Sequence, residues 1–277
     1  IDYINTFSVR EGIENYDVEG IDTESAFMDR RRISAIVSYI LEHFDQKTKR
    51  SSSYELKDQR VSGFNSLLAT SSIKAARAYY REFERQQEDL PSDKRRSVGI
   101  IFSYAPNEEA PGTGLLAEES MDPSALSLDD RAFLDDAIAA YNDRFGTNFG
   151  TDASGFENYY EHLSKALTEK RIDLVIVVDM FLTGFDSKTL NTLWVDKNLH
   201  AHGLIQAFSR TNRILNSVKT YGNIVCFRNL EEETNEAIAL FGNKEARSQV
   251  LLRPYREYLD KYNEALDALA GEFPLPL

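Results

Sequence analysis

Short continuous apolar runs, separated by stretches with a helical period, dominate the middle of the chain. The runs are "FNSLLAT" (64–70), "SVGIIFSY" (97–104), "IDLVIVVDMF" (172–181), "LNTLWVDK" (190–197) and "GNIVCF" (222–227). Few polar residues alternate within them, which suits strands buried on both faces of a parallel sheet, with the intervening helical stretches as crossovers. The pattern predicts a three-layer α/β domain with a mostly parallel sheet. Ahead of it, Ile33, Ile36, Val37, Ile40, Leu41 and Phe44 recur at helical spacing and predict an amphipathic helix over 29–45, followed by a polar loop, "DQKTKRSSSYELKDQR". Between the second and third runs lies a segment rich in acid, Gly, Pro and Ser, expected to be a surface loop. Two helices should follow, one starting near "SLDD" and carrying Phe133, Ala137, Tyr141 and Phe145, the other spanning "FENYYEHLSKALTEK". The chain thus divides into an acidic connector (1–29), an α/β domain (30–229) and the start of a helical region (230–277).

Composition narrows the classes. The chain has 277 residues, 42% hydrophobic and 28% charged, enough to bury a sizeable core. A net charge of -13 argues against a protein that coats nucleic acid nonspecifically, although a local basic track on an acidic body stays open. No apolar run reaches bilayer length and the N-terminal stretch carries charges where a signal peptide needs an apolar core, so no membrane contact and a cytoplasmic location are expected. Cys226 lies inside "NIVCF" and should be a buried, inert thiol; one cysteine excludes disulfides and cysteine-rich metal centres. His200 and His202 make a poor metal pair without further ligands, and no metal site is expected. A start without methionine and an end just after a helical pattern suggest a piece of a longer polypeptide.

Three segments carry chemistry. In "NSLLATSSIKAARAYYREFERQ" a buried strand ends in Thr70, Ser71 and Ser72, which with the helix N-terminus behind them can donate to phosphate; a plain Ser cap explains the same residues. "IDLVIVVDMFLTGFD" ends a strand in Thr183, Gly184 and Asp186. Gly184 can let backbone approach a phosphate or adopt positive φ, Thr183 can donate to a phosphate oxygen, and Asp186 can accept from a ribose hydroxyl or anchor a cationic side chain; a tight turn capped by Asp186 is the alternative. Asp179 is placed in the strand with an internal partner, because a buried carboxylate needs one. In "HAHGLIQAFSRTNRI", continued helical spacing puts Gln206, Arg210 and Arg213 on one narrow arc, and guanidinium forks suit phosphate oxygens.

"DMFLTGFD" and "QAFSRTNR" resemble motifs V and VI of superfamily 2 helicases and translocases, and "NSLLATSSI" resembles motif IV. In wording and order they are most similar to the motor, or R, subunit of type I restriction-modification enzymes. The resemblance covers roughly residues 30–260 and implies the second of two RecA-like domains. In that family ATP lies in the cleft between the two domains and double-stranded DNA is tracked across both. It implies that Arg210 and Arg213 reach the γ-phosphate, one or the other as arginine finger, that Gln206 senses nucleotide or DNA, that Gly184 and Asp186 line the nucleotide side, and that Thr70, Ser71, Ser72 and Thr183 touch the DNA backbone. Ser209 and Asn212 depart from the commoner "GRxGR", as the restriction branch does. No "GxxxxGK[ST]" loop, acidic metal-binding box or Glu-x-Lys nuclease pattern in a strand is found. ATP and Mg2+ would therefore be held mainly by a first motor domain, and the chain alone should neither hydrolyse ATP nor cut DNA. The implied partners are double-stranded DNA and the modification and specificity subunits. Another superfamily 2 motor, or a binding module whose arginines dock on an acidic partner, are the rival expectations.

Overall fold

A computed structural model describes residues 1–4, 26–102, 126–182, 184–215 and 217–241, with 259, 262, 263 and 266 beyond. Thr183, the acidic segment between the second and third runs, most of the connector and most of the last helical region beyond residue 241 lie outside the described residues. The elements, in order, are β1 (Asp2–Tyr3), α1 (Arg30–Lys47), β2 (Ser53–Leu56), β3 (Gln59–Ser62), β4 (Asn65–Thr70), α2 (Ile73–Gln87) and β5 (Val98–Ile101). They continue as α3 (Leu128–Phe145), α4 (Ala153–Thr168), β6 (Leu174–Val177), β7 (Leu190–Asp196), α5 (Ala201–Ser209), β8 (Asn223–Cys226) and α6 (Glu231–Phe241).

Among the described residues the sheet has six parallel strands in the order β1-β8-β7-β4-β6-β5. Every residue of β4, β6 and β7 is buried, as expected of central strands covered on both faces. The chain runs from β4 outward to β5, returns to β6, then crosses to β7 and β8 on the far side of β4. Right-handed crossovers therefore place α2 on one face and α4 and α5 on the other. This is the mostly parallel α/β arrangement expected from the apolar runs, and it is consistent with the RecA-like domain that the family resemblance implies. Local chemistry sets the helix starts: Asp29, Ser72, Ser127 and Asp152 each cap a helix by accepting a backbone N–H two or three residues on, and Gly146 ends α3 in the left-handed conformation. Cys226 is fully buried, and burial pushes its thiol up to about 12, which keeps it protonated and unreactive.

Two elements differ from expectation. The polar stretch expected as a loop holds the hairpin β2–β3, turned at Lys57 and Asp58, both with positive φ. Its strands show a single buried side chain, Tyr54, stacked on Phe64 at 4.7 Å, so an exposed two-stranded ribbon left almost no apolar alternation to read. The sheet also takes β1 from the stretch assigned to the connector, through the pairings Asp2 to Val225 and Tyr3 to Cys226. Two residues are too few for any periodicity.

Candidate functional site

The loop from β6 to β7 and the end of α5 meet. The loop alternates: Phe185 and Ser187 are buried while Gly184 and Asp186 face solvent. The Phe185 ring packs, tilted, against Phe181 at 4.7 Å, and Phe181 packs in the same way against Tyr160 of α4 at 5.1 Å, which fixes the buried side of the loop to the core. Gly184 has φ +69, and a Cβ built there would meet nothing within 4 Å. Glycine is needed for its backbone angle, and open space stands where a side chain would be. Phe181 at φ 66 and Ala201 at φ 40, the first residue of α5, are non-glycine residues held in the same unusual region. Backbone strain thus flanks both halves of the meeting point.

The single helical arc expected for Gln206, Arg210 and Arg213 is not what forms. The helix α5 ends at Ser209, and Arg210 is its C-cap. Arg210, Thr211 and Asn212 donate their amides three residues back, to Ala207, Phe208 and Ser209, so the chain tightens out of α geometry before Arg213. Thr211 is buried at this point, and a Cβ on Gly222 would lie 2.3 Å from its Oγ1. A close approach by the chain entering β8 thereby fixes where α5 stops.

The arginines nevertheless converge on the glycine turn. Arg210 Nη1 donates to the Phe185 carbonyl at 2.7 Å and its Nε to the Gln206 carbonyl at 3.1 Å. Arg213 Nε donates to Asp186 Oδ1 at 2.8 Å, with side chains 59% and 55% exposed. Asp186 anchors a cation, one of the two roles open to it from sequence. Gln206 turns its amide to His202 at 2.9 Å.

The segment at the end of β4 is placed differently. Thr70 is buried and donates its hydroxyl to the Val177 carbonyl at 3.0 Å; Ser71 is half-exposed. Ser72 caps α2 by accepting from the Ala75 amide at 3.1 Å, which leaves its hydroxyl proton free to donate. Asp179 lies past the end of β6 rather than within it, and is paired with Lys197, which also donates to the Val178 carbonyl at 3.3 Å. Because β4 lies between β6 and β7, this pair bridges over the carboxyl end of β4, the crevice where open α/β sheets take ligands.

Sequence reasoning missed a buried ionic cluster beside this crevice. Asp196, at the end of β7, accepts from Arg32 at 2.6 and 2.9 Å, from the Tyr79 hydroxyl at 2.7 Å and from Arg228 at 3.2 Å. Burial pushes the Asp196 carboxyl up, but the hydrogen bonds and charge of Arg32, then the charge of Arg228, hold it below the usual carboxylate range. One signal was available. Arg32 sits on the row 32, 36, 40, 44, whose other members are Ile36, Ile40 and Phe44, so a charge had been placed on an apolar stripe.

The family described as Type I restriction enzyme subunit R domain 3 matches residues 62–229. The chain is 35% identical, over its whole length, to the "Type I restriction enzyme SauCOLORF180P endonuclease subunit" of Staphylococcus aureus (strain COL), of which it covers 28%. It is 38% identical over 97% of its length to the "Type I restriction enzyme SsaAORF53P endonuclease subunit" of Staphylococcus saprophyticus, covering 27% of that protein. A match of 31% over 44% of the chain joins it to the "Type I restriction enzyme HindI endonuclease subunit" of Haemophilus influenzae, with 12% of that protein covered. The chain therefore spans little more than a quarter of the length of the staphylococcal relatives. Among the described residues, no helix is long and apolar enough to cross a membrane.

Proposed function

The chain belongs to the type I restriction enzyme subunit R domain 3 family, and on that premise we propose that it is the second motor domain of an ATP-dependent DNA translocase. In this role it lends arginines to a nucleotide held mostly by a first motor domain. The observation that supports this best is the meeting of an exposed guanidinium, Arg213, with a turn whose Gly184 backbone stands open to solvent. A planar fork of donors beside accessible backbone suits phosphate oxygens, and phosphoryl transfer depends on such donors where charge develops. ATP, bound together with Mg2+, would supply the free energy of hydrolysis. Arg213 approaches the terminal phosphate from this side, Arg210 fixes the turn, and Gln206 and Gly184 line the nucleotide.

DNA would cross the carboxyl edge of the sheet, touched through phosphates by Ser71, by the free hydroxyl proton of Ser72, by Thr183 and by the backbone at Thr70. Contacts to phosphate make such tracking independent of sequence. Sequence recognition, methylation and the assembly of the whole enzyme belong to partner subunits in this proposal, and cleavage to another part of the endonuclease subunit. The test is the DNA-stimulated ATPase of the full-length subunit in its complex. Arg213→Ala should lower it by about 10²- to 10³-fold, the usual loss for one preorganised electrostatic contact in a transition state. Wild-type turnover in Arg213→Ala would sink the proposal.

A further inference from the structure

The two arginines are held very differently, and the difference assigns a task to Asp186. Arg210 is half-buried and commits two donors to backbone carbonyls of its own domain, those of Gln206 and Phe185. Phe185 is only 6% exposed and rests on Phe181, so Arg210 ties the end of α5 to a core-anchored turn. It is a positioning residue. Arg213 extends beyond the helix into solvent, where the Asp186 carboxylate, equally exposed, receives its Nε.

We propose that Asp186 is a parking site for Arg213: the ion pair keeps the guanidinium against its own domain until a triphosphate terminus, a more highly charged anion, takes it over. This rests on the function proposed above and adds its regulation. An exposed ion pair is weak and screened by salt, which is what an exchangeable latch requires; a pair as buried as Arg32–Asp196 could not be exchanged. The carboxylate competes with phosphate for one fork of donors, so it raises the nucleotide concentration needed for turnover and restrains turnover without DNA.

The test uses Asp186→Asn in the full-length subunit assembled with its partners. Asparagine keeps the size of the side chain and removes its charge. The KM for ATP should fall, and the DNA-independent ATPase should rise, each by about two- to fivefold, the range set by the worth of an exposed ion pair. Asp186→Glu, which keeps the carboxylate, should stay close to wild type. A raised KM in Asp186→Asn, the result for a carboxylate that binds ribose, overturns the parking role; so do unchanged values. Because Arg213→Ala tests the arginine itself, a failed Asp186→Asn beside an inactive Arg213→Ala removes the latch alone. An active Arg213→Ala removes the function beneath it. Thermal unfolding of each variant separates these outcomes from misfolding.

Discussion

Two arginine–aspartate constellations stand in this domain, built from the same chemical groups and put to opposite uses. Around Asp196 the side chains of Arg32, Arg228 and Asp196 are 4%, 7% and 2% exposed, and Tyr79 completes the carboxylate's partners. Around Asp186 the pair with Arg213 is 59% and 55% exposed. The first joins the start of α1 to the ends of β7 and β8, since Arg32 also donates to the Phe227 carbonyl at 2.9 Å. The second joins two loops and nothing beneath them. Burial decides the difference. An ion pair away from water is costly to break because each partner is stranded, whereas a pair in water exchanges partners at little cost.

The sharpest way to break this comparison is to remove each carboxylate in turn. Asp196→Ala strands two guanidinium groups in the interior and should destabilise the chain by about 3–5 kcal/mol. Asp186→Ala should change stability by about 0–1 kcal/mol. Denaturant unfolding of the two variants checks both numbers, and similar midpoints would erase the distinction. In activity the ranking reverses. Arg213→Ala should cost about 10²- to 10³-fold in DNA-stimulated turnover, roughly 2.7–4 kcal/mol of barrier, with little loss of stability. Chemical denaturation beside steady-state kinetics on the same variant makes that dissociation visible.

Smaller effects sharpen the picture. Gly184→Ala meets no steric obstacle, so its whole cost is the left-handed backbone, about 1–2 kcal/mol in the free energy of unfolding. The pH dependence follows from Asp196, whose folded-state pKa lies below the ordinary carboxylate value of about 3.9. Its contribution is complete above that unfolded value and is lost as pH falls from there through the folded one. An acid titration of stability should therefore be shallower in this window in Asp196→Asn than in the wild type.

Much of this was legible along the chain. Continuous apolar runs located all five core strands, because central parallel strands are buried on both faces and tolerate few polar residues. The helix from 29 to 45 was found to within two residues, since its apolar stripe and its Asp29 cap are local properties. The hairpin at 53–62 was not found, as an exposed ribbon has little apolar signal. Nor was the end of α5. Helical spacing continues smoothly through "SRTNR", and nothing in those residues announces that Gly222 will press against Thr211 and close the helix four residues before Arg213.

Sequence by itself determined which groups are present: an α/β core, a glycine turn with a carboxylate, and two arginines three positions apart. It also determined the family, because those motifs recur in order. Tertiary structure alone decided what the arginines do. Helical periodicity would have pointed both outward together, while packing of the chain entering β8 ended the helix early, turned Arg210 onto a carbonyl and left Arg213 on an exposed aspartate. Periodicity is set by neighbours three or four residues away, and the end of this helix is set by a glycine eleven residues beyond Thr211 that only the folded sheet brings near.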